Sequence, residues 1–319
     1  MKTSADTVAI EVKNLSKYYN DLKAVDGLSL EIRKGEVFGL LGPNGAGKTT
    51  SINMICGLLN PDEGEVFING KKISHGGAKV IRSKVGVCPQ NIIIWPKLTC
   101  FEQLVFMARM YDVPGVMARQ RADSLLTRLE LQEKRNKLGN TLSGGMQRRL
   151  NILLALVHDP ELVIFDEPEA GLDPQSRLLV RDFIINTAKE KTVIFTTHNM
   201  DEADRVSDRI AIIDRGKLLR LDTVDNLKKS IGEGDIMELS TKSQDEIRLS
   251  NAIKMIEQKN INVTRTGEKL IIKSRNLIEQ IPMIYKILEA DNIQVSEMNI
   301  RENTLEDVFI HLTGRSLRQ

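Results

Sequence analysis

The chain has 319 residues, 41% apolar and 28% charged, with a formal net charge of +2; this globular composition leaves room for one large domain and a smaller one. A near-neutral balance without a basic patch or tail argues against a nucleic-acid partner. Apolar runs such as Ile152 to Val157 are far too short to cross a bilayer, and Met1 to Glu11 lacks the apolar stretch of a secretion signal.

Val8 to Val12 and Leu28 to Ile32 alternate apolar and polar residues and predict half-buried strands, whereas Val37 to Leu41 is continuously apolar and predicts a strand buried on both faces. A glycine-rich turn leads into a helix expected from about Lys48 to Leu59, with Ile52, Ile55 and Leu59 on one face. Asn60-Pro61-Asp62-Glu63-Gly64 stops it, and Val66 to Ile68 followed by Asn69-Gly70 predicts a hairpin. From Leu98 to about Arg135 helical periodicity replaces strands, broken at Pro114-Gly115. A further helix is predicted from an N-cap at Ser143 to about Val157, burying Met146, Leu150, Leu153 and Val157. Buried strands follow at Leu162 to Phe165, Thr192 to Thr196 and Arg209 to Ile213, the last with a turn at Asp214-Arg215-Gly216.

This order predicts an α/β fold with a parallel sheet and a helical part over about 98–158. After Ile231-Gly232-Glu233-Gly234-Asp235 a separate unit begins. Its predicted elements are a strand at Ile236 to Ser240, a helix at Asp245 to Gln258 and strands at Ile261 to Thr266 and Lys269 to Ser274, paired through Thr266-Gly267-Glu268. A helix at Leu277 to Leu288 and a strand at Ile293 to Met298 complete it. The order β-α-β-β-α-β fits a small ferredoxin-like module, and Leu305 to Leu312 adds a last helix. The expected division is therefore 1–230 and 231–319.

Gly42-Pro43-Asn44-Gly45-Ala46-Gly47-Lys48-Thr49, followed by Thr50, has the phosphate-binding pattern G-x-x-x-x-G-K-[ST], placed between a buried strand and a helix. Polyphosphate needs inward-pointing backbone N–H groups, which glycines leave open, and the helix start adds a favourable dipole. Lys48 supplies a positive charge to the terminal phosphates and Thr49 a hydroxyl to Mg²⁺. Leu162 to Phe165 ends in Asp166 and Glu167, at the strand end where ligands bind in open α/β sheets. Asp166 suits a Mg²⁺ shell and Glu167 suits polarising an attacking water; a plain polar strand end is the bland alternative. Leu142-Ser143-Gly144-Gly145 places two glycines in the first turn of a helix, which costs stability unless a phosphate must approach the backbone. Cys56, Cys88 and Cys100 have no metal or CxxC spacing and read as apolar filler in a reducing compartment.

The P-loop, the Leu142-Ser143-Gly144-Gly145 signature and the strand ending Asp166-Glu167-Pro168, in this order, resemble the ATP-binding cassette (ABC) family over about Ile10 to Leu227. The resemblance implies a P-loop NTPase core with an antiparallel β subdomain and a helical subdomain, hydrolysing ATP with Mg²⁺. It implies that Tyr19 stacks on adenine, with Tyr18 beside it as competitor. It also implies that Gln90 reaches Mg²⁺ and water, that Asp173 speaks across a dimer and that His198 contacts the γ-phosphate. Two copies, as homodimer or heterodimer, would meet head to tail, each ATP held between one P-loop and the other chain's Ser143 helix. Leu98 to Leu104, the signature Leu142 to Leu150 and the tail Thr304 to Phe309 with Leu312-Thr313-Gly314-Arg315 resemble ABC-2 type exporters, which implies a separate transmembrane permease and a place at the cytoplasmic face of the membrane. A non-transport ABC ATPase acting on ribosomes or DNA is the alternative. Glu169 stands where many members of the family carry Thr or Ser, and is expected to add negative charge near the dimer-facing loop.

Overall fold

The computed structural model describes residues 7–73, 83–231, 235–241, 246–259, 261–266, 269–274 and 277–314. Part of the predicted Ile231–Asp235 linker, the helix start at Asp245, the Gly267-Glu268 turn and Arg315 lie outside these residues. The chain divides into two compact units, Met1–Val224 and Asp225–Gln319.

The first unit contains two sheets. An antiparallel one has the order β2-β1-β4-β5, formed by β1 (Val8–Tyr19), β2 (Leu22–Arg33), β4 (Glu63–Ile68) and β5 (Lys71–Lys72). The other has the order β10-β9-β3-β8-β7-β6. It contains β3 (Val37–Leu41), β6 (Val85–Cys88), β7 (Leu162–Asp166), β8 (Thr192–Thr197), β9 (Arg209–Asp214) and β10 (Lys217–Thr223). Its five strands from β9 to β6 pair in parallel, and β10 closes the edge antiparallel. Every residue of β3, β7 and β8 is buried, as expected where helices cover both faces of a parallel sheet.

β1 and β2 run 12 residues each, well beyond the alternating stretches read in the sequence. Their pairing carries register shifts between Val12 and Leu15 and on to Tyr18, and each shift breaks the period of two. The hairpin at Asn69-Gly70 forms as expected, with φ of 49° and 73°. Helix α1 (Lys48–Ile55) ends four residues before the predicted Leu59, because the chain turns at Gly57 with φ 68°.

The helical part contains α2 (Cys100–Met110), α3 (Gly115–Arg128) and α4 (Gly144–Leu154). Thr99 and Glu102 form a capping box at the start of α2, and Pro114 starts α3. On α4 Met146 is only half-buried, whereas Arg148, Asn151, Ile152 and Leu154 are buried beside Leu150 and Leu153; the predicted stripe is therefore wider and partly polar. Helices α5 (Pro174–Ala188) and α6 (Met200–Val206) follow β7 and β8, and α7 (Val224–Lys229) follows β10. Among the described residues no helix is long and apolar enough to cross a membrane, and the three cysteines are buried and unpaired.

The second unit has β11 (Asp235–Thr241), α8 (Glu246–Glu257), β12 (Asn262–Thr266), β13 (Lys269–Ser274), α9 (Leu277–Ala290), β14 (Val295–Arg301) and α10 (Leu305–Thr313). Its sheet has the order β12-β13-β11-β14, all antiparallel. Leu249, Ala252 and Ile256 of α8 share one core with Ile284 and Leu288 of α9 and with Met237, Leu239, Leu270 and Ile272 of the sheet.

Candidate active site

Four loops leave the carboxyl edge of the neighbouring strands β6, β7, β8 and β3, which pair in register so that Cys88 faces Phe165, Asp166 faces Thr196 and Leu41 faces Thr197. They carry Gln90, Asp166 with Glu167, His198 and the P-loop, so residues 42 to 198 converge because parallel strands end together.

The P-loop is held by its own chain. A Cβ on Gly42 would lie 2.3 Å from the carbonyl oxygen of Ile213, and one on Gly47 would lie 2.4 Å from that of Ala24. Gly47 also has φ 99° at the N-cap of α1. The reason for these two glycines is therefore tight backbone packing as well as ligand approach. Lys48 is buried, and its ammonium donates to the carbonyls of Gly42 at 2.7 Å and Pro43 at 3.1 Å. Burial pushes its pKa below the ordinary lysine value, against the pull of Glu167 and Asp166. Asn44, Gly45 and Thr49 are exposed on this loop, and Ala46 is buried against it.

The Thr49 hydroxyl donates to Asp166 Oδ2 at 3.0 Å, and Thr196 donates to Oδ1. Glu167 is buried and is the centre of the site. Gln90 Nε2 donates to its Oε2 at 3.1 Å, His198 Nδ1 lies 3.1 Å from its Oε1, and Lys48 Nζ lies 3.8 Å from the same oxygen. Its backbone adopts φ 48°, a region that costs an L residue about 1–3 kcal/mol and persists only when neighbours hold it. A pocket of about 230 Å³ opens beside it, lined by Glu169, Arg177, His198, Asn199 and Glu202 among others. This is a carboxylate presented by an amide, an imidazole and an ammonium at the mouth of a phosphate cradle, suited to activating water against a phosphoryl group.

Residues 25–170 match the ABC transporter family. The linearmycin resistance ATP-binding protein LnrL of Bacillus subtilis is 37% identical over 314 residues, covering 97% of this chain and 99% of its own. This chain belongs to the ATP-binding proteins of ABC transporters. The Nod factor export ATP-binding protein I of Ralstonia nicotianae is 35% identical over 98% of this chain and 96% of its own. Among solved structures, the dimeric post-hydrolysis state of the ATP-binding cassette MJ0796 bound to ADP and Pi is 29% identical. It superposes with a TM-score of 0.62, over 67% of this chain and 98% of that one. The ATP-binding cassette fold and ATP hydrolysis follow for this chain.

In this ABC ATPase the signature residues are engaged in capping their own helix. Ser143 caps α4 by accepting from the Met146 N–H at 3.3 Å, and Asp173 caps α5 by accepting from Ser176 N at 3.0 Å. Gly144 has no atom within 4 Å of a Cβ position, and at Gly145 the nearest contact is an ordinary 3.6 Å. Among the described residues no hydrogen bond joins Ser143, Gly144, Gly145 or Asp173 to the P-loop. Tyr19 ends β1 and is 47% exposed, while Tyr18 is half-buried; each ring has a lysine over it, Lys17 and Lys23 respectively, so exposure favours Tyr19 for stacking.

Two features were not foreseen. Burial pushes the Glu169 carboxyl up to about 8, and the neighbouring Glu202 adds to the rise. Glu202 is pushed up by burial too, but Arg181, bonded to both its oxygens, outweighs that and keeps its pKa low. Burial beside Glu202 thus works against the negative charge expected of Glu169. The other feature is Arg148, whose guanidinium is buried among backbone carbonyls.

Proposed function

We propose that this chain is the motor subunit of an ABC-2 type exporter, with Glu167 polarising the attacking water, His198 and Lys48 addressing the terminal phosphates, and Tyr19 stacking on adenine. The observation that carries the catalytic reading is the convergence of Gln90, His198 and Lys48 on the buried Glu167 carboxylate. The Thr49 hydroxyl and the Asp166 carboxylate, 3.0 Å apart, are hard oxygen donors of the kind Mg²⁺ takes. When bound there, Mg²⁺ would neutralise charge on the transferred phosphoryl group. The bond from Gln90 to Glu167 supports a role in orienting that carboxylate, beside the contact with Mg²⁺ that the family resemblance implies.

The bare glycines of α4 support a head-to-tail dimer. Among the described residues no close contact requires a glycine at 144 or 145, and alanine would make a better helix start. They suit a nucleotide brought by a second copy or a paralogue, which closes the pair and moves a separate membrane-embedded permease. The relatives named for linearmycin resistance and Nod factor export support the outward direction. This reading places the chain at the cytoplasmic face of the membrane, held there by the permease. It divides the chain into an ATPase domain, 1–230, and an accessory domain, 231–319. The strand order β12-β13-β11-β14 supports a ferredoxin-like fold for the latter.

The test is a detergent pull-down of the tagged protein from its native cells, with identification of partners by mass spectrometry. A polytopic membrane protein is expected. Recovery of ribosomal proteins or nucleic-acid enzymes alone would overturn the transport reading and leave the ATPase intact.

A further inference from the structure

Arg148 lies five residues after Ser143 on α4 and is 1% exposed. Each of its five N–H donors has an acceptor, and all five acceptors are backbone carbonyls. Nε donates to Pro168 at 3.1 Å, Nη1 to Pro89 at 3.0 Å and to Gln90 at 2.7 Å, and Nη2 to Asp166 at 3.2 Å and to Glu167. A buried cation is a poor way to gain stability, since an apolar side chain of similar volume usually packs as well without losing hydration. What the planar fork supplies is fixed geometry.

That geometry lies where the proposed chemistry needs it. The carbonyl of Glu167 rests on Arg148, and its N–H donates to Thr196 Oγ1 at 3.0 Å. Both peptide groups flanking its left-handed Cα are therefore held. The same guanidinium holds the Gln90 backbone, so the two residues whose side chains meet at 3.1 Å hang from one rigid plane. One turn further along α4, Asn151 accepts from the Ile93 N–H at 3.1 Å and so grips the Gln90 loop a second time.

We infer that Arg148 is a positioning residue for ATP hydrolysis, holding Glu167 and Gln90 in register and tying the signature helix of a chain to the catalytic carboxylate of that same chain. The inference rests on the proposed role of Glu167. A displacement of α4 by nucleotide at Ser143 then reaches the Glu167 of its own chain through a single side chain.

The test compares full-length wild type, Arg148→Lys and Arg148→Met by thermal melting, equilibrium binding of Mg·ATP and steady-state phosphate release. Both variants are expected to bind ATP within about threefold of wild type. The Met variant should lose roughly 30-fold or more in kcat and the Lys variant roughly fivefold, since an ammonium keeps the charge and three donors. A folded Met variant with unchanged kcat overturns the inference, as do parallel losses of affinity and kcat. If not even lysine allows folding, Arg148 belongs to the core alone and the inference falls. A wild type that binds ATP without hydrolysing it would condemn the role of Glu167 instead.

Discussion

The P-loop and the signature turn are both glycine-bearing entries to a helix, yet their glycines answer to different constraints. Gly42 and Gly47 are demanded by the chain itself, through carbonyls 2.3–2.4 Å from any Cβ and, at Gly47, a left-handed backbone. Gly144 and Gly145 meet no such demand among the described residues, where a Cβ would come no nearer than 3.6 Å to any atom. On the proposed head-to-tail reading, a site finished within one chain and a half-site finished by another differ in what a methyl group would hit.

The largest effects should come from the finished site. Glu167→Gln is expected to keep ATP affinity while turnover falls at least 100-fold, about 3 kcal/mol in barrier, and to dimerise with ATP in size-exclusion runs. A variant hydrolysing at the wild-type rate would remove Glu167 from its role. Lys48→Ala should weaken ATP binding roughly 100-fold, about 3 kcal/mol, read by titration; unchanged affinity would contradict the cradle.

The contrast itself is sharpened by a pair of methyl groups. Gly47→Ala should lower folding stability by roughly 3 kcal/mol, from strain at φ 99° and overlap with Ala24. Gly145→Ala should melt no lower than wild type, gaining about 0.5 kcal/mol of helix preference, yet lose about tenfold or more in ATP-dependent dimerisation and turnover. Equal melting losses in the two variants would erase the distinction.

The smallest effect concerns Glu169. A carboxyl whose folded pKa lies above its unfolded one favours folding at low pH, and that contribution is lost as pH rises from about 4.5 towards about 8. Glu169→Gln removes the titration. Its folding stability should therefore gain on wild type from pH 5 to pH 9, reaching about 1–2 kcal/mol after allowance for solvent screening. A gap that stays flat with pH would mean that Glu169 is not held neutral by its surroundings.

The local signals sufficed where one segment carries its own reason. The P-loop is legible because strand, turn and helix are consecutive, the Asn69-Gly70 hairpin because its two residues accept positive φ, and the helical part because helical periodicity sets in near Leu98. Periodicity failed along β1 and β2, where bulges shift the register, and past Ile55, where apolar residues continue after Gly57 has ended the helix.

The sequence by itself determined the chemical kinds of group at this site and the strand ends that present them. Only the tertiary structure decided their partners: that Gln90, His198 and Lys48 meet at Glu167, that Glu169 sits against Glu202, and that an arginine in a helix turns inward to five carbonyls. Such contacts join groups such as Gln90 and Glu167, 77 residues apart, and no local pattern encodes the distance between two loops that only the packed sheet brings together.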